Sequence, residues 1–351
     1  MEIPVSQARA VFTQARVAEY RERIAPTAFL RSFFPSQEKG TKYLSIEVQR
    51  GTEKVAVQVV RGTEGNRNKL SKSTEKIFYP PYYHEFLDAT ELDLYDRLFT
   101  ESGVISGTDV AAFVSELNDG MSMLQDKIER SYELQCAQVL ETGIVQLKFG
   151  TNIDYNRKAT SLVDLGAPNY WTVATVDPSA ALEAGGKFLR TEGKMRGGML
   201  TGIFGGEALA AMLDNPLFVA RANMRRMDLL EIHPPQANAV GAVLHGQVTA
   251  GTFKVNVWSY PEVYDDELGV STEYINTKKV ILMPAVAPKF VFGFAAVPQL
   301  LTTGGTNNAK GAYVFNDYVD ERKATHEFDI KSAGLAIPVA VDQMYTFQAV
   351  A

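Results

Sequence analysis

The sequence has 351 residues, of which 46% are hydrophobic and 22% charged, and its formal net charge at pH 7 is −6. These values are ordinary for a globular protein with a large core, and the acidic balance excludes an overall basic footprint for nucleic acid. No stretch approaches the eighteen apolar residues of a membrane-spanning helix. The single cysteine, Cys136, excludes an intramolecular disulfide, and its place in a helical pattern predicts a buried thiol.

Residues 1–40 predict an N-terminal arm. Ala8, Val11, Phe12 and Ala15 recur at helical spacing, and Pro26 interrupts that pattern before the run FLRSFF at 29–34. An arm of this size cannot bury such a run by itself, so its apolar side chains must pack on the body of the chain or on a neighbouring chain. We assign them to an inter-subunit surface; they are Phe29, Leu30, Phe33 and Phe34.

Residues 41–82 predict an extended hairpin. Its first strand alternates Leu44, Ile46 and Val48, and a return strand at about 75–79 stops at Pro80-Pro81. A further β-branched strand is predicted at 55–60. From Arg61 to Lys76 only Leu70 is a large hydrophobe, and ordering sixteen residues costs on the order of 15–30 kcal/mol. Another surface must therefore order this segment if it is not disordered, and we expect a neighbouring copy of the chain.

Two segments of opposite charge follow one another. Segment 61–76 has five basic residues against two acidic ones, and segment 85–101 has six acidic residues against one arginine. Each is either a solvated face or one half of a head-to-tail contact between copies of the chain. For the second alternative, the interface residues are Arg61, Arg67, Lys69, Lys72 and Lys76 on one side and Asp88, Glu91, Asp93 and Asp96 on the other.

A long helix is predicted at 108–142, since its apolar residues recur in steps of three and four from Val110 to Leu140. At 1.5 Å per residue it would span roughly 50 Å, and Gly143 is a natural stop. A helix of this length is expected to act as a spine on which other layers pack.

The rest of the chain predicts helices and strands without regular alternation, which favours an α+β fold. Asp177-Pro178 begins a helix that runs to about Gly193, and Asn215-Pro216 begins another. Residues 206–214 predict a further helix, and residues 144–149 predict the start of a hairpin. Strands are predicted at 199–204, 253–258, 279–283, 289–297, 325–330 and 343–350.

The sequence contains no recognisable chemical motif. The glycine-rich run GGMLTGIFGG at 197–206 has neither phosphate-loop pattern, so it predicts a tight turn between a strand and a helix. The four histidines are scattered, no G-x-S-x-G elbow occurs, and Asp265, Asp266 and Glu267 lack calcium-loop spacing. We therefore expect no catalytic, cofactor-binding or metal site, and a protein that is not an enzyme.

Three stretches carry a resemblance to a known family. TAFLRSFFPSQEKGTKYLSIEV at 27–48 resembles the start of lambda-type major capsid proteins of tailed bacteriophages, and HEFDIKSAGLAIPVAVDQMYTFQAV at 326–350 resembles their closing strands. FKVNVWSYPEVYDD at 253–266 with YINTKKVILMP at 274–284 is similar to a strand pair near the centre of each capsomer. The likeness is collinear over most of the chain but patchy between about 155 and 250.

The resemblance implies the fold of tailed-phage and herpesvirus shells. Its parts correspond to an N-terminal arm at 1–40, an extended hairpin loop at 41–82, a peripheral domain with the spine helix at 83–155 and 312–351, and an axial domain at 156–311. It implies self-assembly into hexamers and pentamers of an icosahedral shell around double-stranded DNA, which is held without sequence specificity. It also implies scaffolding, portal and decoration proteins as partners, no membrane, assembly in the host cytoplasm and a final location in the virion.

Two other functions remain as alternatives at this point. The same fold could form a cellular nanocompartment that encloses an enzyme, in the manner of encapsulins. Alternatively, the chain could be an α+β enzyme that uses segment 197–206. No N-terminal coiled-coil extension is evident, and no Lys–Asn cross-link can be assigned, so we expect a separate scaffolding protein and non-covalent locking of the shell.

Overall fold

The computed structural model describes residues 26–48, 74–90, 107–224, 230–237, 241–286, 288–300, 306–320 and 325–351. The predicted arm helix around Ala8–Ala15 and the predicted strand at 55–60 lie outside these residues. The helices are α1 (Gly107–Glu141), α2 (Pro178–Thr191), α3 (Gly206–Asp214) and α4 (Pro216–Met224), with 3-10 turns at Arg31–Phe33, Ala159–Ser161 and Val341–Gln343. None of the described helices is both long enough and apolar enough to cross a bilayer.

The strands are short and spread along the whole chain. In order they are β1 (Ser36–Glu38), β2 (Leu44–Val48), β3 (Thr74–Phe78), β4 (Tyr83–Thr90), β5 (Ile144–Val145), β6 (Ile153–Asp154), β7 (Leu162–Asp164), β8 (Met199–Phe204), β9 (Leu230–Ala237), β10 (Val243–Ala250), β11 (Phe253–Ser259), β12 (Val263–Asp265), β13 (Ser271–Glu273), β14 (Lys279–Pro284), β15 (Phe290–Phe294), β16 (Val297–Leu300), β17 (Thr306–Ala309), β18 (Val314–Asp320), β19 (Thr325–Ser332), β20 (Gly334–Pro338) and β21 (Tyr345–Gln348). Helices and strands are mixed as predicted, and the α+β class is confirmed.

Helix α1 is the predicted spine, one residue displaced from the predicted bounds. It stops where Gly143 adopts φ +79°, a left-handed conformation that favours glycine. Arg157 then caps the helix, because its guanidinium donates to the Leu140 carbonyl at 2.8 Å and to the Thr346 hydroxyl at 2.9 Å. The C-terminal end of the spine is thus fixed to the last strand of the chain.

A three-stranded sheet, in the order β1-β15-β20, packs on the spine. Tyr132 of α1 is fully buried and meets Phe292 of β15 with 4.9 Å between ring centroids. The amide of Gln135 lies along β20, where it donates to the Gly334 carbonyl and accepts from the Ala336 N–H at 3.3 Å. The Gln135 side chain therefore makes hydrogen bonds to the backbone of β20 like those that a neighbouring strand would make.

The largest sheet has seven strands in the order β7-β21-β14-β8-β11-β10-β9. Both of its faces are buried: Ile281 and Met283 of β14 join the core around α1, and Val280 and Leu282 join a second core beneath α2 and α3. This double burial explains why the residues after Lys279 in β14, VILMP, are continuously apolar rather than alternating.

A third sheet, β18-β19-β4, lies along the spine. Ile330 of β19 is fully buried, and Glu85 of β4 pairs with Lys127 of α1 at 2.7 Å. Strands β2 and β3 form the root of the predicted extended hairpin, with Leu44 opposite Phe78. We refer to these two strands as the projecting hairpin.

Most local predictions in the central part of the chain are confirmed. Strand 199–204, helix 206–214 and the helix after Asn215-Pro216 occur as predicted, so the glycine-rich run is a strand, a turn and a helix. A side chain built on Gly205 would lie 2.3 Å from the carbonyl oxygen of Asn276, which explains the glycine there. Asp177 caps α2, since its carboxylate accepts from the Ser179 N–H at 3.0 Å.

Three strand predictions differ from the structure. Only Ile144–Val145 of 144–149 is a strand, and the apolar run 289–297 is divided between β15 and β16. The closing strand is shorter than 343–350, because Val341–Gln343 forms a 3-10 turn.

The proposed division into domains does not coincide with the sheets. Strand β21 comes from the segment assigned to the peripheral domain, yet it lies in the seven-stranded sheet between β14 and β7. Strand β15 comes from the segment assigned to the axial domain, yet it packs on the spine helix. Each of these strands pairs with strands that are distant in sequence, and local sequence patterns do not reveal such pairing.

Candidate inter-subunit surface

The arm is held on the body by a buried carboxylate. Glu133 of α1 is 1% exposed, and its two oxygens accept the Leu30 N–H at 2.7 Å and the Arg31 N–H at 3.0 Å. The hydroxyl of Tyr260, just after β11, donates to the same group at 2.9 Å. Burial raises the pKa of Glu133 to about 7, against the lowering effect of these hydrogen bonds. One side chain thus joins the arm, the spine and the large sheet.

The side chain of Arg31 extends the attachment. It forms an ion pair with Glu129, one turn before Glu133, and its guanidinium carbon lies 4.7 Å from the ring centroid of Phe292. The hydroxyl of Tyr313 also donates to Glu129. Although burial opposes its charge, the pKa of Arg31 is raised by Glu129 and Tyr313. The arm is therefore bound through both its backbone and its side chains.

Three of the four apolar arm residues are buried within their own chain. Phe29 packs against Trp258 and Tyr260, Phe34 stacks on Phe290 with ring centroids 5.0 Å apart, and Leu30 is fully buried. Full burial of such a side chain contributes roughly 1.5–3 kcal/mol. Their assignment to an inter-subunit surface is corrected accordingly, since no surface is left to offer a partner. Phe33 is half-buried and stays a candidate for that surface.

The projecting hairpin has one face on the body and one face in solvent. Leu44 packs on the backbone of Gly293, and the ring centroids of Phe78 and Tyr155 are 5.2 Å apart. The opposite face carries exposed apolar residues, namely Tyr43, Ile77 and Tyr79. The root is therefore anchored, while an apolar surface beside it has no partner among the described residues of the same chain.

Strand β4, which follows the projecting hairpin in the chain, carries further exposed side chains. Tyr82, His84 and Phe86 project from the same side of the chain, and Phe86 is 60% exposed. Beside them the buried carboxylate of Asp329 accepts from Lys331 at 2.6 Å and Asn316 at 2.7 Å. Burial opposes ionisation of Asp329, but these bonds outweigh it and hold the pKa of the carboxyl below its ordinary value.

The predicted charged interface residues are described only in part. Lys76 is in β3, half-buried and opposite Ile46, and Asp88 is in β4 opposite Glu327. The other members lie outside the described residues; they are Arg61, Arg67, Lys69, Lys72, Glu91, Asp93 and Asp96. The contact between the basic and the acidic segments remains a prediction.

Sequence reasoning missed Glu133 and Arg157. Each is a charged residue in or after an ordinary helical pattern, and nothing in the local sequence signals that it is buried. Cys136 is buried as predicted, and burial raises the pKa of its thiol. Within the described ranges, no cluster of three or more metal-ligating side chains occurs.

Comparison with known proteins gives a family match over nearly the whole chain. A family model of phage major capsid protein E matches residues 13–349. No curated protein matches the sequence. A protein of an E. coli CFT073 prophage, assigned as its capsid protein, is 14% identical, with 93% of this chain and 94% of that chain covered and a TM-score of 0.62.

Two phage capsids are also similar in structure. The capsid of cyanophage P-SCSP1u is 10% identical over 96% of this chain and 93% of that chain, with a TM-score of 0.50. The mature capsid of bacteriophage PhiM1 is 8% identical over 96% of this chain and 91% of that chain, also with a TM-score of 0.50. These structural similarities show the fold, and the match to the family model shows the family. The chain belongs to the phage major capsid protein E family, and it is a structural protein of the capsid shell.

Proposed function

We propose that copies of this protein assemble into hexamers and pentamers of an icosahedral shell that encloses double-stranded phage DNA. The projecting hairpin of each subunit lies over an adjacent subunit. In this function the protein performs no catalysis; it contributes surfaces that fit one another. Scaffolding, portal and decoration proteins are its further partners during assembly in the host cytoplasm.

The observation that supports this function best is the asymmetry of the projecting hairpin. Leu44 and Phe78 fix its root on the body, whereas Tyr43, Ile77 and Tyr79 present an apolar surface on the other side. An exposed apolar patch beside a polar extension is typical of a protein–protein contact. In a shell each such contact is repeated many times, so modest pairwise free energies give a stable particle.

The basic segment 61–76 and the acidic segment 85–101 fit the same arrangement. They flank the exposed surface in sequence, and opposite charges on successive subunits would steer the encounter and fix its register. Expansion of a precursor shell would then consist of rigid-body movement of the domains while the hairpin and the arm rearrange.

Removal of residues 62–75 tests the proposal. We expect a soluble, folded chain that no longer forms shells, as seen by electron microscopy of purified material. Because a deletion can perturb folding, the triple substitution Tyr43→Ser, Ile77→Ser, Tyr79→Ser provides a second test. The matched control is Leu213→Ser, another exposed apolar residue, on helix α3. Shells of normal yield from both altered chains would contradict the proposal.

The content of the particles separates this function from the alternatives. Phage shells assembled with their partners should contain DNA, whereas a nanocompartment should contain a cargo enzyme and no DNA. A small discrete oligomer that a ligand stabilises would indicate the enzyme.

A further inference from the structure

A second exposed surface lies at the end of the β12–β13 hairpin, which we call the acidic hairpin. Leu268 at its tip is 88% exposed, and Val263 and Val270 are also exposed. Between Glu262 and Glu273 the chain has five acidic residues and no basic one. An apolar tip in an acidic setting is unusual for a loop whose only role is to connect two strands.

The tip is held rigidly by one side chain. Asp266 accepts from the Leu268 N–H at 2.8 Å and the Val270 N–H at 2.9 Å, and its own N–H donates to the Val270 carbonyl at 3.0 Å. Gly269 has φ +76°, which completes the turn. The turn thus presents Leu268 in a fixed position, and a preorganised apolar side chain loses little entropy when a partner covers it.

An exposed aromatic residue lies beside the tip. Lys148 forms an ion pair with Glu267 at 2.5 Å, and its nitrogen is 5.7 Å from the ring centroid of Phe149. Phe149 is 83% exposed. The ion pair joins the loop that follows the spine to the acidic hairpin, so Phe149 and Leu268 belong to one surface.

A complementary surface lies on the seven-stranded sheet, beside strands β8 and β11. We call it the basic edge; it consists of the exposed residues Lys194, Arg196, Met199, Lys254 and Val286. Lys254 is paired with Met199, and the N–H of Ala285 donates to the Met199 carbonyl at 3.2 Å, which places Val286 beside them. Lys254 therefore lies beside two exposed apolar side chains, and the exposed Lys194 and Arg196 shortly precede Met199 in the chain.

The two surfaces lie at opposite ends of strand β11. Lys254 is near its start, and the acidic hairpin follows its end after Tyr260. At about 3.3 Å per residue the seven-residue strand separates them by roughly 23 Å. Two different and complementary patches on one chain can form a head-to-tail contact between copies, and such contacts close into a ring when the rotation from one copy to the next closes.

We propose that the tip of the acidic hairpin of one subunit docks on the basic edge of the next copy of this chain, head to tail around a capsomer. This inference rests on the proposed function and names a contact other than that of the projecting hairpin. Leu268 supplies the apolar anchor against Met199 and Val286, and the surrounding charges set the register.

Disulfide trapping tests this contact in assembled shells of the full chain. Leu268→Cys combined with Met199→Cys should give, after oxidation and denaturation, a ladder of linked chains that ends at five and six. Each single variant should give monomers only, and Cys136 does not interfere because it is buried. Shells that form normally but give no ladder would overturn the inference.

A charge exchange tests it without new cysteines. Glu273→Lys and Lys254→Glu should each lower the yield of shells at low salt by at least about tenfold, and the two together should restore it. Unchanged melting of the unassembled chains serves as the folding control. Single variants that assemble at wild-type yield, or a double variant that is not restored, would contradict the docking. Failure of the wild type to form shells would instead contradict the proposed function.

Discussion

Replacement of Glu133 tests how the arm is attached. Its carboxylate is buried and accepts the N–H groups of Leu30 and Arg31 and the hydroxyl of Tyr260. Burial raises its pKa to about 7 from an ordinary value of 4.5. Because the pKa in the folded state is the higher one, protons bind more tightly to the folded chain. The resulting stabilisation is complete below pH 4.5 and is lost as the pH rises through 7.

The size of the effect follows from the two pKa values. A difference of about 2.5 pKa units corresponds to roughly 3 kcal/mol, at 1.36 kcal/mol per unit. Glu133→Gln cannot ionise and removes this dependence, although its amide nitrogen cannot accept the Arg31 N–H. We therefore expect the free energy of unfolding of the wild type, relative to that of E133Q, to fall by roughly 3 kcal/mol between pH 4.5 and 8.

The assay is chemical denaturation of the unassembled full chain at a series of pH values. Glu207→Gln, which replaces an exposed carboxylate on α3, is the matched control and should keep the dependence of the wild type. Hydrogen exchange at the Leu30 and Arg31 amides reports the arm itself, and protection should be lost in Glu133→Ala. Parallel stability curves for the wild type and E133Q would refute the reasoning.

Three other substitutions have defined consequences, each measured by denaturant unfolding. Arg157→Ala should destabilise the chain by about 3 kcal/mol, because buried carbonyls at the end of the spine lose their donor; wild-type stability would show that water replaces the guanidinium. Gly205→Ala should cost about 1–3 kcal/mol, since its side chain meets the backbone of Asn276, whereas Gly206→Ala has open space and should be neutral; equal effects would contradict this account. Asp329→Asn should cost about 2 kcal/mol, because it leaves Lys331 without its buried partner, and an unchanged midpoint would be inconsistent with that pairing.

Prediction from sequence was most successful where one local signal suffices. The spine helix follows from apolar spacing and ends at Gly143, whose positive φ only glycine adopts easily. Helix α4 follows from its Asn215 cap, and that side chain does accept the Leu217 N–H at 3.0 Å. The projecting hairpin follows from period-two alternation and from the proline pair after it.

The candidate site was predicted less completely. Exposed residues such as Leu268 and Phe149 have no sequence signature, because an isolated apolar residue in a loop is as compatible with burial as with exposure. For the apolar arm residues, the sequence predicted that they must be buried, but it did not predict the surface on which they pack. Phe29 and Leu30 pack in the core of their own subunit.

The sequence by itself determined the mixed α+β class, the spine, the projecting hairpin and the strand–turn–helix character of the glycine-rich run, because each depends on neighbours a few residues apart. Only the tertiary structure decided that Glu133 fastens the arm, that Arg157 caps the spine against β21, and that the closing strand belongs to the large sheet. These contacts join residues more than a hundred positions apart or bury a charge among apolar neighbours. Their energies depend on burial and on partners that no local pattern specifies.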